Sequence, residues 1–389
     1  MTFFDDHYDK ELERLGNEGL LRTLPISFGT DRFVEINGTK ALNFCSNNYL
    51  NLANHPEVVK AAKSAIDKYG VGSGASRLVT GTFEPHIKLE EKISEFKGTD
   101  TTLLFNSGYH ANVGVISALA DRESEIFMDK LNHASLIDGA ILSRANIKRY
   151  PHKDFEKLEE MLKASTAKKK FVVTDGVFSM DGDFSPLNDI LYISNKYDAM
   201  VIVDDAHGTG ATGKYGKGTL DALNIKAKNV LQIGTLGKAI GTFGAFVTGH
   251  SEFTGSVIEY IKNTSRSFIY TTSLPPALCQ ATIRAIELID EEPERRGKLW
   301  DNSMYLKDAL KTEGFDTGDS ETQIIPIIVG DNDITVKAKE KLLEEGIFVQ
   351  AIRPPTVPKG SARLRITLMS EHKREDLDKL ADTLKKVLK

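Results

Sequence analysis

Cysteine is scarce: of 389 residues only Cys45 and Cys279 are cysteines, and they form no CxxC pair. That argues against a disulfide framework or a cysteine-based metal centre and suits a reducing compartment. No apolar run approaches the ~20 residues of a membrane span. The opening MTFFDDHYDKELERL is too acidic and too interrupted for a secretory signal. A cytoplasmic protein without membrane contact is expected. A block of one charge is also missing. Fifty Lys and Arg against 55 Asp and Glu leave a net charge of −5, which argues against a nucleic-acid interface and leaves small phosphorylated ligands open. The glycine-rich GVGSG and FNSGYHAN could cradle phosphate with backbone N–H groups, but neither is a Walker A loop or a dinucleotide fingerprint.

What is present is an ordinary globular mixture, 40% hydrophobic and 27% charged, long enough for two or three domains. Residues 1–50 read as an N-terminal arm and short strands. In the arm, Phe4, Tyr8, Leu12, Leu15 and Leu20 are spaced for one helical face, which either packs on its own chain or docks on a second subunit. Asn37-Gly38 signals a hairpin between two short strands.

Residues 51–290 read as a large domain. A helix entered at His55-Pro56 places Val58, Ala62, Ala65, Ile66 and Tyr69 on one face, and a second from Pro85 carries Leu89, Ile93 and Phe96. Beyond it, apolar strands at 101–105, 125–128, 171–174, 200–203 and 230–233 alternate with helices at 109–120, 154–164, 186–196 and 275–291. Repeated β-then-α units with nearly continuous apolar strands predict an α/β fold with a mostly parallel sheet covered on both faces. Residues 291–389 read as a smaller C-terminal α/β domain with strands near 322–329, 347–350 and 363–368. In RLRITL, Arg363, Arg365 and Thr367 are expected on a polar face. The last helix carries Leu377, Leu380, Leu384 and Val387 as a stripe.

Polar residues fall where several of these strands end. Asp175 follows FVVT, Asp204 follows MVIV, and Thr235 and Lys238 follow VLQIG. In open parallel sheets such positions line the ligand crevice. Lys238, among small residues, is either a solvent-facing lysine or one held away from water that forms a Schiff base with a carbonyl. Asp204, with Asp205 and His207 close behind, could protonate a pyridine nitrogen, cap a strand end or contribute to a metal site. His133 could be an acid or base, a plate stacked on a flat ligand, or a loop histidine bonded to backbone. Arg353, beside two prolines, and Arg365 suit a substrate carboxylate.

Together these segments resemble the α-oxoamine synthase family of pyridoxal-phosphate (PLP) enzymes. The matching landmarks are NFCSNNYL, GSGASRLVTGT, FNSGYHANVG, DKLNHASLIDG, VTDGVFSMDGD, VIVDDAHGTG, GTLGKAIG, RPPTVPKG and RLRITL, in order from about residue 20 to the C-terminus. The resemblance implies the aspartate-aminotransferase fold type I and a homodimer with its site at the interface. It implies that Lys238 carries the cofactor, Asp204 pairs with its ring nitrogen and His133 stacks on the ring. His207 and Ser179 are implied around the phenolic oxygen. Ser107, Gly108, Tyr109 and Thr235 are implied at the phosphate, with Thr271 and Thr272 reaching it from the partner subunit. Asn47, Arg353 and Arg365 are implied at the substrate carboxylate and Arg22 at the acyl chain's distal carboxylate; no metal is implied, and His110 has no assigned role. GASRLVTG and LNHASLIDGAILS resemble the branch that condenses L-alanine with pimeloyl-CoA or pimeloyl-carrier protein more than the alternative, glycine-acetylating branch.

Overall fold

The computed structural model describes residues 3–389, so the first two residues of the arm lie outside the described part. The chain divides into two compact units. One takes the chain up to Ser46, Met180–Gly182 and Leu299–Lys389; the other takes Asn47–Ser179 and Asp183–Lys298.

The second unit is built on a seven-stranded sheet. Its spatial order is Thr101–Phe105, Ala245–Gly249, Val230–Thr235, Met200–Asp204, Lys169–Asp175, Ser124–Asp129, Asn146–Tyr150. Only Ala245–Gly249 runs antiparallel to its neighbours. Alternate residues feed two separate cores: Ile126, Met128, Val173, Ile202 and Ile233 face one, and Phe127, Val172, Val201, Val203 and Val230 the other. That two-sided burial is why these strands lack polar alternation. Helices Gly108–Leu119, Ala134–Ser143 and Ser251–Thr264 cover the first face, and Phe155–Lys163 and Leu187–Lys196 the second. The first two of these pack closely at Gly139, where a Cβ would stand 3.0 Å from the carbonyl oxygen of Asn112 and 3.1 Å from Ile116 Cβ.

Elements beyond those expected above include the strands Asn146–Tyr150 and Ala245–Gly249 and the helices Ala134–Ser143 and Ser251–Thr264. The helix Pro56–Tyr69 forms as expected, with His55 accepting from Glu57 N and Gly70 ending it at φ 78°. Ile66 corrects the expected face, being 41% exposed while Val58 and Ala65 are buried.

In the first unit, Phe33–Ile36 and Thr39–Asn43 form the expected hairpin, with positive φ at both Asn37 (48°) and Gly38 (85°), as a two-residue turn of this twist requires. Ile324–Gly330, Ala362–Thr367 and Gln350–Ile352 make a three-stranded antiparallel sheet. The polar face expected for Arg363, Arg365 and Thr367 is covered: all three are buried. Arg363 is accommodated by donating to Asp181 and to the Met180 carbonyl. Leu377, Leu380 and Leu384 on the last helix are buried as the stripe predicts. The arm is a helix, Phe3–Asn17, with no buried residue.

Candidate active site

The parallel strands of the second unit deliver their polar residues side by side. Asp175 and Asp204 are direct cross-strand partners at the ends of Lys169–Asp175 and Met200–Asp204. Asp204 is 5% exposed; its Oδ2 accepts from Asn112 Nδ2 at 2.6 Å and its Oδ1 from Ala206 N at 2.9 Å. Asn112 also donates to Ser135 Oγ at 2.8 Å, and Ser135 Oγ lies 2.7 Å from His133 Nδ1. A hydrogen-bond chain thus joins Asp204 to His133. Burial, reinforced by the Asp204 charge, pushes the Asp175 carboxyl well above its usual range, and the N–H of His133 donates to it at 2.8 Å.

His133 caps the helix Ala134–Ser143, accepting from Ser135 N, so it does act as a backbone-bonded loop histidine. The residue is nonetheless exposed overall. Partial desolvation holds its pKa below the ordinary imidazole value; the Lys238 ammonium acts the same way and the Asp204 carboxylate opposes it.

Lys238 is half-buried, and its Nζ stands 2.9 Å from His207 Nε2. His207 Nδ1 is 2.7 Å from the Tyr49 hydroxyl, which donates to Asn47 Oδ1 at 3.1 Å. These four groups form one directed chain: ammonium to Nε2, Nδ1–H to the phenol, phenol to amide. The solvent-facing reading of Lys238 is therefore wrong. The metal reading of Asp204, Asp205 and His207 fails as well, because Asp205 accepts from Lys97 Nζ at 2.8 Å, Thr209 Oγ1 at 2.9 Å and Thr219 N at 2.9 Å. Among the described residues no group of three or more His, Cys, Asp or Glu could hold a metal ion.

Ser107 caps the helix Gly108–Leu119 by accepting from His110 N. A Cβ on Gly108 would stand 3.9 Å from Thr235 Cβ, so the first turn of that helix and the Thr235 side chain share a small space. A helix start beside a hydroxyl is a fitting phosphate cradle. Asn106 Nδ2 donates to the Thr272 carbonyl at 2.7 Å, and Thr272 itself is exposed. Tyr109 is exposed too, its hydroxyl donating to Asp138, and Ser179 is half-buried. The arrangement fits PLP: an amine for the aldehyde, a buried carboxylate for the ring nitrogen, a histidine and a phosphate cradle occur in one unit.

The three expected arginines lie in the first unit. Arg22 and Arg353 line one cavity of about 240 Å³ with Lys339 and Gln350, and Arg353 also donates to the Gly19 carbonyl. Arg365 is buried, close enough to Cys45 to oppose the burial that pushes that thiol up to about 12. The strand-end rule did not reveal Tyr49, Asn112 or Ser135. Each sits in a motif quoted above, but none ends a strand, and only the hydrogen-bond chains show what they do.

Comparison with known proteins identifies the family. The profile for aminotransferase class I and II matches residues 39–384. An 8-amino-7-oxononanoate synthase of Citrifermentans bemidjiense is 50% identical over 98% of this chain and 97% of its own. A solved serine palmitoyltransferase from S. paucimobilis with bound PLP–myriocin aldimine superposes with a TM-score of 0.92 at 30% identity, over 100% of this chain and 98% of that one. A solved 8-amino-7-oxononanoate synthase from Francisella tularensis gives a TM-score of 0.78 at 29% identity, over 89% and 97%. The family match and the solved relatives define a PLP-dependent acyltransferase of fold type I, and the chain belongs to the class I and II aminotransferase family. Within that family its branch is that of the 8-amino-7-oxononanoate synthases.

Proposed function

We propose that this chain makes 8-amino-7-oxononanoate for biotin biosynthesis, condensing L-alanine with a pimeloyl thioester carried on CoA or a carrier protein, with release of CO2 and the thiol. The observation that carries the reading is the Lys238–His207–Tyr49–Asn47 chain beside the buried Asp204, in a chain half identical to a protein of that name.

When bound, PLP supplies an electron sink for charge developing at the amino-acid α-carbon. The protein's own contributions follow from the geometry. Asp204, fixed by Asn112 and Ala206 N, keeps the ring nitrogen protonated. Lys238 Nζ is the general base that removes the α-proton of alanine, and His207 Nε2 and the Tyr49 hydroxyl behind it stabilise the proton it gains. His133 covers one face of the ring and donates from Nε2 to the thioester carbonyl. Ser179 and His207 contact the phenolic oxygen. Ser107, Gly108, Tyr109 and Thr235 hold the phosphate, completed by Thr271 and Thr272 from a second copy of the chain. Asn47, Arg353 and Arg365 take the alanine carboxylate and Arg22 the distal carboxylate of the acyl chain. The protein works as a cytoplasmic homodimer, with cofactor chemistry in the 51–290 segment flanked by the 1–50 arm and the 291–389 domain.

The test is a set of parallel reactions of purified protein with alanine or glycine, each with pimeloyl-CoA or acetyl-CoA, reading thiol release and product mass. The alanine and pimeloyl-CoA pair is expected to be fastest. Faster turnover of glycine with acetyl-CoA would move the chain to the glycine-acetylating branch.

A further inference from the structure

One cluster of titratable groups lies outside the contacts just assigned. Asp129 ends the strand Ser124–Asp129, where the loop to His133 begins, and its carboxylate accepts from Leu131 N and Lys153 N at 2.8 Å each. Asp183 closes the neck of the loop that carries Ser179: its carbonyl accepts from Phe178 N at 3.0 Å, beside the Val177–Phe184 bridge. His152 stands between the two. Its Nδ1 is 3.1 Å from both carboxylate oxygens of Asp129, and its Nε2 is 3.0 Å from Asp183 Oδ2. The two carboxylate side chains are 2% and 1% exposed. The Phe178 ring packs edge-on against the imidazole at 4.5 Å. A ring facing a carboxylate at each nitrogen donates from both, which only the imidazolium can do.

We propose that His152 is a positioning residue of the cofactor site: as a two-armed donor it ties the loop carrying Ser179 to the strand end that leads to His133. This rests on the roles proposed above for Ser179 and His133. Burial alone would lower the His152 pKa, and the hydrogen bonds and charges of Asp129 and Asp183 raise it to about 9. The other charged or titratable neighbours are Lys153, whose Nζ is 3.0 Å from Asp183 Oδ2, and the buried Tyr150 hydroxyl, on which the Asp129 charge acts. Because the folded pKa lies above the ordinary one, the tie is complete below about pH 6.5 and is lost as pH rises through about 9.

The test is the affinity of the full-length protein for PLP between pH 6 and 10, by titration of cofactor-stripped protein, for wild type, His152→Gln and Asp183→Asn, with thermal midpoints in parallel. Wild type is expected to show a loss of affinity centred near pH 9. His152→Gln is expected to bind about tenfold more weakly at pH 7, the size of one lost charge-assisted hydrogen bond, and to lack that step. In Asp183→Asn the step moves to lower pH, because one of the two carboxylates that raise the pKa is gone; this variant carries the test if His152→Gln does not fold. Affinity within twofold of wild type with the step near pH 9 intact in both variants would overturn the proposal. Wild-type protein that binds no PLP at any pH would instead overturn the site reading, and the proposal with it.

Discussion

Replacing Lys97 by methionine keeps most of the side chain's volume and removes the ammonium that Asp205 faces inside the second unit. The Nζ of Lys97 lies 2.8 Å from Asp205 Oδ2, with side-chain exposures of 1% and 0%, and also donates to the Lys217 carbonyl. At an effective dielectric near 20 the bare attraction at that distance is ~6 kcal/mol. Most of it offsets the cost of burying both charges, so the measurable quantity is the penalty of leaving Asp205 buried without its cation, ~3–5 kcal/mol. The carboxylate cannot turn to water, because Thr209 and Thr219 hold it on its other sides. Asp205→Asn is expected to cost less, because the amide oxygen still accepts from Thr219 N. Asp205 sits between Asp204 and His207 in the chain, so Lys97→Met should also weaken PLP retention. Urea denaturation of cofactor-free protein measures the stability term. A loss below about 1 kcal/mol, or a larger loss for Asp205→Asn than for Lys97→Met, would show that Asp205 does not depend on the Lys97 ammonium.

Three further outcomes are expected. Asp204→Asn should still bind PLP but slow exchange of the alanine α-hydrogen by on the order of 100-fold, read by NMR in deuterated water; undiminished exchange would remove Asp204 from the ring nitrogen. Asp175→Asn should be tolerated with less than ~1 kcal/mol lost in urea denaturation, because burial and Asp204 already favour the neutral acid and the amide oxygen can still accept from His133 N. Burial lowers the His372 pKa to about 4, its Nδ1 accepting from Met369 N and its Nε2 facing the Asn43 carbonyl. Its unfolded form takes up a proton that the folded form refuses, so up to ~3 kcal/mol should disappear as pH falls from about 6.5 to about 4. His372→Gln should flatten that part of the urea-midpoint profile.

The strand ends were legible because two-sided burial writes each central strand as an unbroken apolar run, so the first polar residue after it stands out: Asp175, Asp204 and Thr235 were found that way. The same burial hid other features. Arg363 and Arg365 alternate with apolar residues as a half-exposed strand would, yet both are covered, and alternation cannot distinguish water from a protein carboxylate such as that of Asp181 as the polar partner. Lys97, one residue before a helix-ending glycine, reads as a surface lysine that complements the helix dipole; its partner is 108 positions away. Tyr49 meets His207 across 158 positions, a pairing that only the fold supplies. Ala245–Gly249 is as long as Met200–Asp204, but it follows a glycine-rich turn and has a lower density of β-branched residues than that strand.

Lys238 is the residue to which the proposed function joins the cofactor, and trapping that bond decides whether it does so. Purified protein would be loaded with PLP, reduced with borohydride, digested, and searched by mass spectrometry for the pyridoxyl-phosphate addition. The addition is expected on the peptide containing Lys238 and is expected to be lost in Lys238→Ala, which should remain folded. An addition confined to other lysines, or none after loading, would contradict that role.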